Sequence, residues 1–195
     1  MRGLDLPEGG RLLDVGGGTG SNLEQLGERI SGLGRVEIVD LCPSLLKVAE
    51  ERIQRHAWSN VRTVLTDATT YVPETPVDVV TFSYSLTMIP SWHQAIDRAY
   101  EALNPGGMIG VVDFYISRKW PAEGMRRHSA FQRFFWPLWF GQDNVFLSPD
   151  HIPYLQSRFR TVRLIEGLGG VPYMMGLKAP YYVFLGRKPA SEPRA

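Results

Sequence analysis

Leu12-Leu13-Asp14-Val15-Gly16-Gly17-Gly18-Thr19-Gly20 is the stretch on which the reading of the chain turns. A short apolar run ends on a carboxylate, passes through a glycine-rich turn and enters residues of helical character. Glycines at 16, 18 and 20 permit positive φ and let backbone approach a ligand with no Cβ in the way. A ligand there lies at the carboxyl end of a strand and near the positive end of a helix. The spacing is G-x-G-x-G, whereas a dinucleotide turn, G-x-G-x-x-G, would place its third glycine at Ser21. Asp14, just ahead of the glycines, is placed to hold a cation. A nucleoside with a positively charged tail fits this better than one with two phosphates; the alternative is a turn that binds nothing.

Two more acidic residues follow apolar runs in the same way. Arg35 to Val39 reads as a strand closing on Asp40, about 20 residues beyond the glycines, where a carboxylate can accept both ribose hydroxyls. The alternative role for Asp40 is N-cap of the helix that Pro43 and Ser44 open and that runs to about His56. Val61 to Leu65 reads as a third strand, followed by Thr66-Asp67-Ala68. Asp67 can accept an adenine amino group while the next backbone N–H reaches a ring nitrogen; the alternative is an exposed loop acid.

The glycine turn and Asp40 resemble the first two motifs of class I S-adenosylmethionine (AdoMet)-dependent methyltransferases. The resemblance implies an α/β fold with a Rossmann-like, seven-stranded, mostly parallel sheet, one antiparallel strand and helices on both faces. It implies AdoMet as cofactor, held by Asp14, Gly16, Gly18, Gly20, Asp40, Leu41, Asp67, Ala68 and Ser83. It also implies helices ahead of the first strand, which this sequence lacks; a lid elsewhere or a longer parent protein would account for that.

The remaining elements follow in order. Ser21 to Ile30 reads as a helix, Val77 to Phe82 as a strand buried on both faces, and Ser91 to Leu103 as a helix ended by Asn104-Pro105-Gly106-Gly107. Met108 to Phe114 is a strand. Ser148-Pro149-Asp150 caps a helix through Phe159, and Thr161 to Glu166 and Tyr181 to Arg187 form a closing hairpin. Residues 1–188 are therefore expected to be a single methyltransferase domain, with 115–147 a substrate or lid insertion and 189–195 a disordered tail.

Within that insertion, six of the ten residues from Phe131 to Phe140 are aromatic. On a helix Phe131, Phe134, Phe135, Leu138 and Trp139 share one face, Arg126 and Arg133 lie opposite, and Pro137 kinks or ends it. From Tyr115 to Arg163 there are eight Lys or Arg against three Asp or Glu, so the chain's net +1 hides a local excess of positive charge. That overall charge gives no reason to expect nucleic acid. The single cysteine, Cys42, excludes an internal disulfide and a Cys-rich metal site, and the four scattered histidines suggest no metal. With no signal peptide or apolar run long enough to span a bilayer, a cytoplasmic protein, at most peripheral to a membrane, is expected.

A narrower resemblance rests on Ser83-Tyr84-Ser85-Leu86-Thr87-Met88-Ile89-Pro90-Ser91-Trp92, Val112-Asp113-Phe114 and Phe135-Trp136-Pro137-Leu138-Trp139-Phe140. These look like the N-methyltransferases that trimethylate the homoserine amine of betaine lipids. That resemblance implies a lipid or small-molecule methyl acceptor, contact with a membrane surface, and fusion to or association with the enzyme supplying the aminocarboxypropyl group. Tyr84, Trp136, Trp139, Tyr154 and Tyr173 are the candidate cage for a methylated ammonium. Tyr84, His128 and Asp143 are the candidate catalytic groups. Arg118, Lys119, Arg126, Arg127 and Arg133 are placed to meet anionic head groups. An O- or C-methyltransferase for small molecules and a non-catalytic AdoMet-binding domain remain the alternatives.

Overall fold

The computed structural model describes residues 3–170 and 177–190. Strand β1 (Arg11–Val15) carries an uninterrupted buried run because the sheet is covered on both sides. Leu12 faces one apolar layer with Leu23, Leu26, Ile38 and Leu46, whereas Leu13 and Val15 face the other with Phe82, Ile96 and Ile152. Strands β2 (Arg35–Asp40), β3 (Val61–Leu65), β4 (Val77–Ser83) and β5 (Leu103–Phe114) join it in parallel, through β1–β2, β2–β3, β1–β4 and β4–β5 pairs.

Strands β6 (Arg160–Gly170) and β7 (Lys178–Arg187) complete the order β3-β2-β1-β4-β5-β7-β6. β7 runs antiparallel to both neighbours, which makes it the one reversed strand that a hairpin without a crossover helix requires. The order reverses between β1 and β4. The crevice for a ligand therefore opens beyond the carboxyl ends of these two strands.

Helices α1 (Pro43–Arg55), α2 (Trp92–Ala102), α3 (Ala130–Gly141) and α4 (His151–Arg158) match the expected positions to within a few residues. Ser21–Ile30 differs: it is a 3-10 segment broken at Gly27, whose φ of 56° no right-handed helix accommodates. The Asn-Pro-Gly-Gly stretch does not separate α2 from its strand. β5 begins at Leu103 and absorbs those residues through a register shift opposite Val77–Val79.

Pro137 neither ends nor bounds α3, which continues to Gly141, and Ser129 closes its start with a capping box to Gln132. The aromatic stripe read from the sequence points largely outward. Trp136 and Phe140 are its buried residues, packed with Ile116, Leu147 and Ala179, whereas Phe131, Phe134, Leu138 and Trp139 are exposed. Among the described residues no helix is long and apolar enough to cross a membrane, and no cluster of His, Cys, Asp or Glu is arranged to hold a metal.

His151, at the start of α4, is fully buried with its ring 4.8 Å from Trp92 and 6.2 Å from Tyr182. Neither ring nitrogen has a hydrogen-bond partner, and burial lowers its pKa from 6.5 to about 4. The folded protein holds this ring neutral while the unfolded chain takes up a proton below 6.5. Its contribution is thus complete above that pH and is lost as pH falls toward 4. Relative to His151→Phe, the wild type should lose about 3 kcal/mol of unfolding free energy across that window in urea titrations. Parallel pH profiles for the two proteins would refute the assignment.

Candidate active site

The glycine turn is shaped first by what surrounds it. Gly16, Gly18 and Gly20 have φ of 64°, 54° and 68°, the left-handed region that other residues enter only at a cost. A Cβ on Gly16 would sit 2.4 Å from that of Ser85, and one on Gly20 would sit 2.9 Å from Ile38. Gly18 differs, since a Cβ there would meet only ordinary contacts with Leu45 and Asp40. The backbone N–H groups of Gly16 and Gly17 both donate to the Val39 carbonyl, and Arg52 donates to the Thr19 carbonyl. The turn is thereby tied to β2 and α1.

Asp14 lies beneath the turn, fully buried. The Thr81 hydroxyl donates to its Oδ1 at 2.7 Å, but Oδ2 has no hydrogen-bond partner, although a Cβ on Gly17 would sit only 2.7 Å from it. Burial raises the carboxyl from its ordinary value to about 6, and Thr81 only partly opposes this. Asp40 closes the next strand. Its Oδ2 accepts from Gly18 N–H at 2.9 Å and its Oδ1 from Cys42 N–H at 2.8 Å, so one carboxylate links the turn to the start of α1. The helix cap is Cys42 rather than Asp40. Asp67 folds the loop after β3, its Oδ1 accepting from the Thr69 N–H and hydroxyl. Leu41 and Leu65, beside these acids, are left exposed, and Ala68 is partly buried.

These residues fit a cationic nucleoside. An orphaned buried carboxylate oxygen asks for a positive partner. A carboxylate that has accepted two N–H groups keeps lone pairs for ribose hydroxyls. The uncovered leucines offer apolar surface to a flat base.

The acceptor side is less gathered. Ser83 ends β4, and Tyr84 follows at φ 53°, a strained conformation for an aromatic residue, with its side chain about half exposed. Its ring begins a continuous chain of contacts: Phe114 at 5.0 Å, Phe114 to Phe140 at 4.8 Å, and Phe140 to Trp136 at 5.6 Å. Phe135 extends the chain from Trp136 to Trp139. The expected cage is not assembled from these groups. Trp136 is buried, and the Tyr154 hydroxyl donates to Asp97 at 2.8 Å while Arg158 covers its ring, which assigns Tyr154 to the α2–α4 packing. Tyr173 lies outside the described residues.

His128 and Asp143 have partners of their own. The buried His128 ring accepts Ser117 N–H at Nδ1, stacks edge-on against Tyr115 and is shifted toward its neutral form, chiefly by burial. That geometry braces the loop ahead of α3. Asp143 is exposed in the turn after α3, where its backbone N–H donates to the Phe140 carbonyl.

Asp113, quoted in the sequence but given no role there, sits fully buried at the end of β5. It accepts from the Thr87 hydroxyl and N–H and from Phe114 N–H, and burial raises its pKa to about 6. It fixes the segment after Tyr84 from below. An acid at the carboxyl end of a central strand was the available signal.

Sheet order, switch-point crevice and acidic strand ends define the class by its architecture: the Rossmann-like fold of the class I methyltransferases. Within that class the chain belongs to the ubiE/COQ5 methyltransferase family, which it matches over residues 3–159. A curated relative, the ubiquinone/menaquinone biosynthesis C-methyltransferase UbiE of Hydrogenovibrio crunogenus, is 32% identical over 109 residues, 54% of this chain and 42% of that protein. The match thus spans less than half of the relative's length.

Among solved structures, N-methyltransferase NodS from Bradyrhizobium japonicum WM9, complexed with S-adenosylhomocysteine, superposes with a TM-score of 0.67 at 16% identity, covering 92% of this chain and 78% of that one. The [4+2]-cyclase SpnF superposes with a TM-score of 0.72 at 18% identity, covering 95% and 78%. The fold is therefore shared by proteins of different named activities, and the acceptor has to be argued from the site. Family membership, supported by the S-adenosylhomocysteine-bound neighbour, makes AdoMet the cofactor.

Two measurements check the cofactor residues. Asp40→Ala should weaken S-adenosylhomocysteine binding by about 1–3 kcal/mol in calorimetry, since charge-assisted bonds are lost. An unchanged dissociation constant would remove Asp40 from the site. Because Asp14 takes up a proton near pH 6, AdoMet affinity should fall about tenfold per pH unit below that point, and Asp14→Asn should abolish the dependence.

Proposed function

We propose that the protein transfers a methyl group from AdoMet to a carbon atom of an apolar, ring-bearing acceptor. The observation that carries this reading is the run of aromatic contacts leading away from the strand ends, from Tyr84 through Phe114 and Phe140 to Trp136. A flat apolar molecule gains most from such a surface, through area removed from water and offset ring packing. The name of the curated relatives, C-methyltransferases of ubiquinone and menaquinone biosynthesis, supports the same acceptor class.

When bound, AdoMet would supply an electrophilic methyl group whose positively charged sulfur leaves as a neutral thioether, while the acceptor carbon gives up its hydrogen as a proton that passes to solvent on product release. The protein's share is then alignment and exclusion of water. Asp14 and Asp40 hold the cofactor's charged tail and ribose, and Asp67 faces its base. Tyr84 meets the acceptor. Its hydroxyl is raised above its ordinary pKa, mainly by burial and then by Asp113, so it stays protonated at neutral pH. It serves as a hydrogen-bond donor to an oxygen on the acceptor ring and not as the base. Asp113, through Thr87, is a positioning residue for this segment.

N-methylation of a lipid head-group amine at a membrane surface is the second reading. Exposed Lys119, Arg126 and Arg127 next to an aromatic helix favour it. One experiment separates the two. The protein is incubated with methyl-labelled AdoMet and, in parallel, a prenylated hydroquinone and an aminolipid, and the products are fragmented by mass spectrometry. The expected product carries the label on a ring carbon, with Tyr84→Phe lowering kcat about tenfold or more while sparing S-adenosylhomocysteine affinity. Label on lipid nitrogen alone would replace the first reading by the second.

A further inference from the structure

Helix α3 buries Trp136 and Phe140, packs Phe135 partly against them and turns much of its remaining apolar surface outward. Phe131, Phe134, Leu138 and Trp139 are 67%, 72%, 60% and 42% exposed, at i, i+3, i+7 and i+8 of one face. Twelve residues of helix make this strip about 18 Å long. An apolar face of that extent is unusual on a protein surface that stays in water. Ahead of the helix Trp120 is also 70% exposed, with the Arg127 guanidinium 4.5 Å and the Lys119 ammonium 5.7 Å from its ring centroid. Arg127 lies two residues before the Ser129 cap, so this cluster sits at the helix's N-terminal end. Between residues 115 and 141 there are five Lys or Arg and a single acid, Glu123; Arg118 is ion-paired with Asp150, which leaves Lys119, Arg126, Arg127 and Arg133 to carry the excess.

We infer that the outward face of α3, with Trp120 and its cations, docks on an anionic lipid bilayer. Aromatic and leucine side chains at the level of lipid head groups, flanked by Lys and Arg, are the composition of a helix lying in the membrane interface. The charge decides between occupants. A second copy of this chain would bring the same face, and hence the same excess of cations, against itself. An anionic surface answers both the charge and the apolar strip. The inner face of the same helix reaches Tyr84 through Phe140 and Phe114, so docking sets the acceptor side of the crevice at the lipid surface. This deepens the reading of an apolar acceptor and rests on it only for the use to which the docking is put.

The test needs no acceptor. The full chain is sedimented with phosphatidylcholine vesicles made with or without phosphatidylglycerol, over a range of salt, and its oligomeric state is measured by analytical ultracentrifugation. Wild type should partition onto the phosphatidylglycerol vesicles at least about tenfold more strongly than onto phosphatidylcholine alone, and less so in high salt. The pairs Phe134→Ser/Leu138→Ser and Lys119→Glu/Arg127→Glu should each lower that partition about tenfold. Both should keep wild-type S-adenosylhomocysteine affinity and melting temperature. Failure to bind anionic vesicles, binding indifferent to both pairs, or a dimer that dissolves in the Phe134→Ser/Leu138→Ser protein would each overturn the inference. Methyl transfer is never read out, so failure of docking and failure of carbon methylation are separately visible.

Discussion

A carboxylate shielded from solvent is the constraint around which this protein is arranged. Asp14 is taken fully inside at the end of β1, keeps one hydrogen bond from Thr81 and leaves its second oxygen unmatched beneath Gly17. A pKa held near 6 means that ionising it at neutral pH costs about 3 kcal/mol relative to the unfolded chain. A stable fold has no use for that cost. Asparagine or a small apolar residue would end the strand with less loss. A cationic ligand would offset it, and the glycine turn lies directly above Asp14. Close packing then dictates much of the turn: Ser85 leaves no space for a side chain at Gly16, Ile38 none at Gly20, and Asp40 and Arg52 fasten the loop to α1. At Gly18 the neighbouring atoms leave room, so there the positive φ is the reason for glycine.

This half of the molecule was readable from residues because its determinants are local. Strand, turn and acid lie within ten residues of one another three times over, and parallel pairing aligns the three strand ends without further information. The first β-α connection shows where such reading fails. Ser21–Ile30 has an apolar pattern suited to a helix, with Leu23, Leu26 and Ile30 buried as that pattern demands. Gly27 nevertheless takes a positive φ and the backbone tightens into 3-10 turns, a choice that periodicity does not record.

The acceptor half was less legible, and α3 gives the reason. Apolar residues surround most of that helix, so the contrast that orients an amphipathic helix is weak. Five residues share a stripe on a helical wheel, yet four of them face solvent, while the two largest side chains off its centre, Trp136 and Phe140, are the ones that fill the space over Phe114. What decides this is the complementary surface offered by Ile116, Leu147 and Ala179, which the chain brings from three separate places. Tyr154 is a similar case. Its aromatic ring made it a candidate for an ammonium cage, but Asp97, on α2 and far away in sequence, takes its hydroxyl.

The two halves meet at Tyr84. β4 delivers it to the crevice, Asp113 and Thr87 hold the following turn, and its strained φ is sustained because the strand before it and the short helical turn after it are both fixed. Strain of this kind persists where the neighbouring structure over-determines a residue, and it is retained where a side chain has to point in one direction. Here that direction is the ring of Phe114, and through it the buried side of α3. On the function proposed above, the rigid sheet holds the cofactor end of the reaction and α3 borders the acceptor end. A change of acceptor would then require rebuilding α3 and its loop while the strands, their acids and the glycine turn remain as they are. That is the physical sense in which this fold can host cyclases and methyltransferases on one scaffold.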